Sequence, residues 1–135
     1  HNPYAKAPWV ISVAAGQKDG KLASFSSRGT RGVDETFEMD GETWTWKDEP
    51  TITAPGVNII STRAIAPLGA LSATKDINLA PAHVPYYAHM SGTSMATPHA
   101  AGVVALLLES NPLLSPSEVK DILRKTATNM PGREA

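Results

Sequence analysis

Residues 89–102 read HMSGTSMATPHAAG, a hydroxyl set among small residues and followed by a proline, a histidine and the start of an apolar run. A serine hydroxyl is a weak nucleophile at neutral pH. It becomes effective when the backbone presents it without steric cover, a base removes its proton and donors stand where an oxyanion will form. Gly92 permits a tight turn ahead of Ser94, and a helix starting there offers unpaired N–H groups and the positive end of its dipole to developing negative charge. Pro98 agrees with such a start. With Ser94 as the cap it is the fourth helical residue, the last whose missing N–H costs no intrahelical bond. Ser94 as a plain N-cap fits the same residues equally well, and spacing alone does not choose between capping and nucleophilic attack.

The elements that must hold this stretch are legible around it. Residues 100–108 form an apolar run of nine that includes Gly102, half of the ~18 residues a membrane span requires. Val103 to Leu108 present no polar face, which predicts a helix enclosed by protein on every side. Gly102, costing roughly 1 kcal/mol in a helix interior, predicts a close neighbour at that turn. Upstream, PWVISVAA (8–15) reads as an interior strand of a mostly parallel sheet, Asp19-Gly20 as a turn, and LASFSSRG (22–29) as a short strand running into a loop. FEMDGETWTW (37–46) alternates on both sides of Asp40-Gly41 and predicts a hairpin, within an insertion spanning about 30–50. TITAPGVNIISTRA (51–64) gives two short strands about Pro55-Gly56. Residues 64–85 lose periodicity and read as one long loop that could shape a cleft. Ser115, Pro116 and Glu118 form a capping box with proline at the first helical position. The helix they open puts Val119, Ile122 and Leu123 on one face and ends at 129–132.

Composition narrows the function. The chain has 135 residues, 41% hydrophobic and 19% charged, the profile of one soluble globular domain. Twelve Lys and Arg oppose thirteen Asp and Glu without a block of either sign, so neither nucleic acid nor a membrane surface is an expected partner. Without cysteine there are no disulfides or thiolate metal sites. No internal repeat is present. The chain opens on His1 with no targeting segment behind it, and is expected to begin inside a longer protein. His83 and His89, near Tyr86 and Tyr87, lack metal-ligand spacing, so no metal site is read there. Trp44 and Trp46 suit either a substrate platform or, more simply, packing of one hairpin face.

Gly92 to Ala96 nearly match the G-x-S-x-G nucleophile elbow of α/β-hydrolases, but that order places an acid and then a histidine after the serine, and only His99 follows Ser94. GTSMATPHAAG instead resembles, at every position, the G-T-S-M-A-x-P-H-x-A-G serine motif of the subtilisin-like proteases, the subtilases. The likeness continues through PWVISVAA with LASFSSRG, ITAPGVNIIST and NPLLSPSEVKDILRKTA, and departs in length at 30–50 and 64–85. It implies an α/β fold, a subtilisin-like three-layer arrangement of parallel sheet between helices, present here in part. It also implies peptide-bond hydrolysis with Ser94 as nucleophile, the Ser94 N–H as an oxyanion donor, Thr93 assisting through its hydroxyl, and Met90 and Ser91 edging the substrate cleft. His99, five residues along the helix, is expected to pack or cap.

In that family the aspartate, the histidine and an oxyanion asparagine precede the serine in motifs absent from this chain. Asp19, Asp34, Asp40, His83 and His89 stand in the wrong contexts to replace them. The chain is therefore expected to be the C-terminal portion of a catalytic domain. Its partners are a polypeptide substrate and the remainder of that domain. Alone it is expected to be inactive and prone to self-association. The resemblance further implies secretion and chemistry without a cofactor. Structural calcium is an option in the parent, although Thr51 stands where a carboxylate would accompany Glu49. The alternative is a non-catalytic binding or scaffolding module that keeps the serine motif by descent.

Overall fold

The computed structural model describes residues 3–63 and 79–130. A 3-10 turn (Pro3–Lys6) leads to β1 (Val13–Gly16), followed by β2 (Asp34–Met39), β3 (Glu42–Lys47), β4 (Ile52–Pro55), β5 (Ile59–Thr62), β6 (Tyr87–Met90), α1 (Thr93–Ser110) and α2 (Pro116–Thr126). β1 and β4 run parallel, with Val13 opposite Ile52 and Gly16 opposite Pro55. β2 pairs antiparallel with β3, and β5 with β6. Of the expected long loop, residues 64–78 lie outside the described residues; 81–86 form consecutive turns leading into β6.

The core is made of small side chains. Ala15, Ala23, Ala54 and Ala96 are buried together, with Val13 and Val57 closing its edge. Short side chains let α1 lie directly on β1 and β4, so the helix start is held by backbone proximity. β1 is shorter than the apolar run that predicts it, because its pairing begins only where Ser12 O accepts Thr51 N–H at 2.8 Å. The 22–29 segment turns back along β1 without becoming a strand. Its Leu22 makes a single bridge to Gly16, and the Ser26 hydroxyl takes the Ala15 N–H at 2.9 Å in place of a neighbouring strand.

Asp40 and Gly41 both have positive φ, 55° and 77°, as a type I′ hairpin turn requires. Phe37, Met39, Trp44 and Trp46 share the half-buried face of the hairpin. Lys6 ties that face to the body: its ammonium pairs with Glu35 and lies 5.0 Å from the centre of the Trp46 ring. This is packing of one face, and the two tryptophans are not an open platform.

α2 opens with the complete capping box. Ser115 Oγ accepts the Glu118 N–H at 3.3 Å, and the Glu118 carboxylate accepts the Ser115 N–H at 2.7 Å. Val119 and Leu123 are buried. The helix closes at Ala127, earlier than expected, where the cap N–H reaches Leu123 O. The Ser115 N–H holds the Glu118 carboxyl below the usual carboxylate range. A depressed folded pKa means that the stabilisation is present above the unfolded value and lost as pH falls through the folded one. Ser115→Ala is expected to lower stability by about 0.5–2 kcal/mol in chemical denaturation at neutral pH, while the further loss as Glu118 is protonated remains, because the variant keeps the Ser115 N–H.

The described residues do not enclose α1, whose expected cover lay partly outside this chain. Ala96 and Ala100 are its buried residues, whereas Val103, Leu106 and Leu108 are exposed by 46%, 66% and 37%. Among the described residues nothing lies within 4 Å of a Cβ built on Gly102. Only the first turns of α1 reach β1 and β4, and no described element covers the rest.

Candidate active site

Backbone bonds between three glycines set where α1 begins. Gly56 N–H donates to Gly16 O at 3.0 Å, and Gly92 N–H donates to Gly56 O at 2.8 Å. The last residue of β1, the turn after β4 and the helix entry are thus joined in series. A Cβ on Gly56 would stand 2.7 Å from Ala15 Cβ and 2.8 Å from Gly92 O, so the approach excludes any side chain. Gly56→Ala is expected to push the helix entry off β1 and to lower stability by about 1–3 kcal/mol, the usual cost of overpacking, measurable as a lower thermal midpoint.

The cap of α1 is Gly92, not Ser94. Its carbonyl accepts the Met95 and Ala96 N–H groups at 3.0 and 3.3 Å, and no side chain among the described residues caps the helix. Thr93 and Ser94 are the first and second helical residues, and Pro98 falls inside the helix, where its missing N–H leaves the Ser94 carbonyl without the usual donor. The shift comes from the Gly92–Gly56 bond, which fixes the entry two residues earlier than the proline suggests. One of the two readings of Ser94 is thereby removed, since its hydroxyl is not spent on capping.

Ser94 is exposed, and its hydroxyl has no partner among the described residues. The Thr93 and Ser94 N–H groups likewise meet no acceptor among them, being two of the unpaired donors that a helix start leaves. An unencumbered hydroxyl and two free N–H groups therefore share the positive end of an 18-residue helix. Thr93 is half-buried, and its carbonyl accepts the Thr97 hydroxyl at 2.9 Å.

The other expected residues fall nearby with different engagements. Met90 ends β6 opposite Ile59 and is half-exposed. Ser91 has its hydroxyl turned to Asn58, whose N–H it takes at 2.9 Å. Asn58 itself sits at φ 53°. This tie between the start of β5 and the approach to α1 gives Ser91 a positioning task that the sequence did not announce. His99 Nδ1 lies 2.9 Å from the Met95 carbonyl one turn back, engaged with its own helix. His83 stands edge-on to Tyr87, and His89 is buried in β6. Among the described residues no group of three or more His, Cys, Asp or Glu side chains could hold a metal ion. Glu49 shares its cleft with Lys6, Lys120 and Arg124, and the Thr51 hydroxyl oxygen accepts the Ser12 N–H at 3.1 Å. No described helix is long and apolar enough to cross a membrane.

Comparisons with known proteins bear on the family and the fold. The Subtilase family model, peptidase S8, matches residues 2–135. Serine protease AprX of Bacillus subtilis (strain 168) is 42% identical over 110 residues, 82% of this chain and 21% of its own length. Minor extracellular protease Vpr of the same organism is 37% identical over 121 residues, 90% of this chain and 12% of its own. Among solved structures, Sphericase superposes with a TM-score of 0.62 at 27% identity, covering 93% of this chain and 34% of that one. The chain thus spans about a fifth or less of these two curated relatives. The partial α/β fold, with its parallel β1–β4 pair beneath α1, is subtilisin-like, and the chain belongs to the subtilase family.

Proposed function

We propose that this chain is the nucleophile-bearing part of a serine endopeptidase that hydrolyses polypeptides through a Ser94 acyl-enzyme. The observation that carries the reading is the uncommitted Ser94 hydroxyl beside unpaired N–H groups at the start of α1. Ser94 Oγ attacks the scissile carbonyl carbon and gives its proton to a base. The carbonyl oxygen becomes an oxyanion within reach of the Ser94 N–H, with the Thr93 hydroxyl assisting. Collapse of the tetrahedral intermediate breaks the C–N bond, the amine leaving with the proton returned by the base; water, deprotonated by the same base, then attacks the Ser94 ester, and the second collapse releases the new carboxyl end and the Ser94 hydroxyl, which takes the proton back. Met90 borders the cleft on the leaving-group side, and Ser91 holds that border in place through Asn58.

The base and the carboxylate that orients it come from sequence outside these 135 residues. Support for this is that Ser94 has no hydrogen-bonding partner among the described residues and that His99 is engaged with Met95 O. A secreted site of action follows the extracellular relative Vpr. Casein hydrolysis by the parent protein, set beside the purified 135-residue chain, tests the reading. The parent is expected to cleave casein and the chain to leave it intact. Cleavage by the chain alone would contradict the division of the site, and an inert parent with intact family motifs would favour a binding module.

A further inference from the structure

One buried hydroxyl has no task in the hydrolytic scheme. Ser26 is 6% exposed. Its Oγ accepts the Ala15 N–H at 2.9 Å and donates to Ser27 O at 3.3 Å. The same segment also reaches the Ala15 carbonyl, which accepts the Ala23 N–H at 2.9 Å, and the Ser26 N–H closes the turn on Ala23 O at 3.0 Å. Both backbone polar groups of Ala15 are thereby tied to residues 23–26. Ala15 is fully buried, and a buried N–H stripped of its acceptor is costly, which favours movement of β1 toward another acceptor.

A second observation gives that bond a reach beyond β1. Gly56 lies between Ala15 and Gly92, since a Cβ built on it would stand 2.7 Å from Ala15 Cβ and 2.8 Å from Gly92 O. The three residues are packed without slack, and such packing transmits displacement. Hydrogen bonds follow the same line: Gly56 N–H is held by Gly16 O, next to Ala15, and Gly56 O holds the Gly92 N–H. Gly92 O accepts the Ala96 N–H, and Ala96 shares the alanine core with Ala15. Ala15 therefore meets the start of α1 by two routes, through Gly56 to the cap and through the core to the first turn. Thr93 and Ser94 lie between the two points of arrival.

We propose that Ser26 is a positioning residue for the hydrolytic site, its hydroxyl fixing the Ser94 hydroxyl and N–H through Ala15, Gly56 and Gly92. The inference rests on the hydrolytic reading. Ser26 has no bond to Ser94 and acts only by setting where the helix start lies against β1.

The test is made in the parent protein. Ser26→Ala is expected to lower kcat by about 10–100-fold, a misplacement of about 1 Å being able to cost about 10²-fold. KM is expected to stay within about twofold, as when an interaction realised only in the transition state is lost. The rate at which a fluorophosphonate modifies Ser94 falls in parallel with kcat. Leu123→Ala, which truncates a buried side chain of α2, is the control for lost stability alone. It lowers the thermal midpoint too, and is expected to leave kcat within about twofold when each variant is assayed well below its own midpoint. Ser26→Cys keeps the size of the side chain with a weaker acceptor; its kcat is expected between those of Ser26→Ala and the unmodified protein, and it carries the comparison if Ser26→Ala does not fold. Ser94-dependent hydrolysis with kcat unchanged in the Ser26 variants would overturn this inference alone. So would an equal loss of kcat in Leu123→Ala, which would make the effect one of stability. Hydrolysis that survives Ser94→Ala, or an inert parent, would overturn the hydrolytic reading and this inference with it.

Discussion

Ser94→Ala in the parent protein is expected to lower kcat for peptide hydrolysis by a factor on the order of 10⁶, the scale established for removal of the serine in subtilisin itself, a relative of this chain. The loss falls on kcat because the hydroxyl forms its bond only along the reaction path, so KM stays within a few fold. The structure adds a sharper expectation. Since Gly92 and not Ser94 caps α1, deleting the hydroxyl removes no helix-capping bond, and the thermal midpoint should hardly move. A capping serine would instead cost about 0.5–2 kcal/mol on the same substitution, seen as a lower midpoint with or without loss of activity. Measuring kcat and the thermal midpoint on one variant therefore separates nucleophile from cap.

The second large effect concerns the chain by itself. Val103, Leu106 and Leu108 lie exposed on the second half of α1, and burying a side chain of this kind is worth about 1.5–3 kcal/mol. Among the described residues each sheet has only two strands, so unpaired backbone edges accompany this apolar face. The purified 135-residue chain is expected to self-associate in light scattering, with a mass that rises with concentration. Leu106→Glu, which places a charge in the most exposed part of the stripe, is expected to shift the distribution toward the monomer. A monodisperse monomer that unfolds cooperatively would show that the described fold closes its own surface.

Much of the arrangement was legible in the sequence because local chemistry decides it. Asp40-Gly41 dictates a type I′ turn, and Ser115 with Glu118 dictates a helix start. The near-absence of polar residues in the runs that form β1 and α1 predicted strand and helix correctly as types. Misplaced details had non-local causes. The cap fell at Gly92 because its N–H is fixed by Gly56 O, a contact 36 positions away in the chain that periodicity cannot display. The resemblance placed Ser91 at the cleft edge, and its hydroxyl's bond to Asn58, a loop residue with no pattern of its own, is a further contact that the sequence does not display. Enclosure of α1, by elements partly outside this chain, and a neighbour at Gly102 were inferred from apolarity and propensity. Those properties state what a helix requires, and the described chain does not supply it. The charge around Glu49 escaped notice for a related reason, since Lys6, Lys120 and Arg124 are distant in sequence and meet only when the hairpin lies near α2.

The central claim is that the Ser94 hydroxyl is the attacking group, and covalent trapping tests it most directly. The parent protein is treated with a fluorophosphonate, which reacts with serines activated for acyl transfer, and the adduct is located by peptide mass spectrometry. One adduct per molecule on the peptide bearing HMSGTSMATPHAAG, assigned to Ser94 and absent from Ser94→Ala, is the expected result. Full peptidase activity in a protein whose adduct lies on another residue, or hydrolysis that persists in Ser94→Ala, would contradict it.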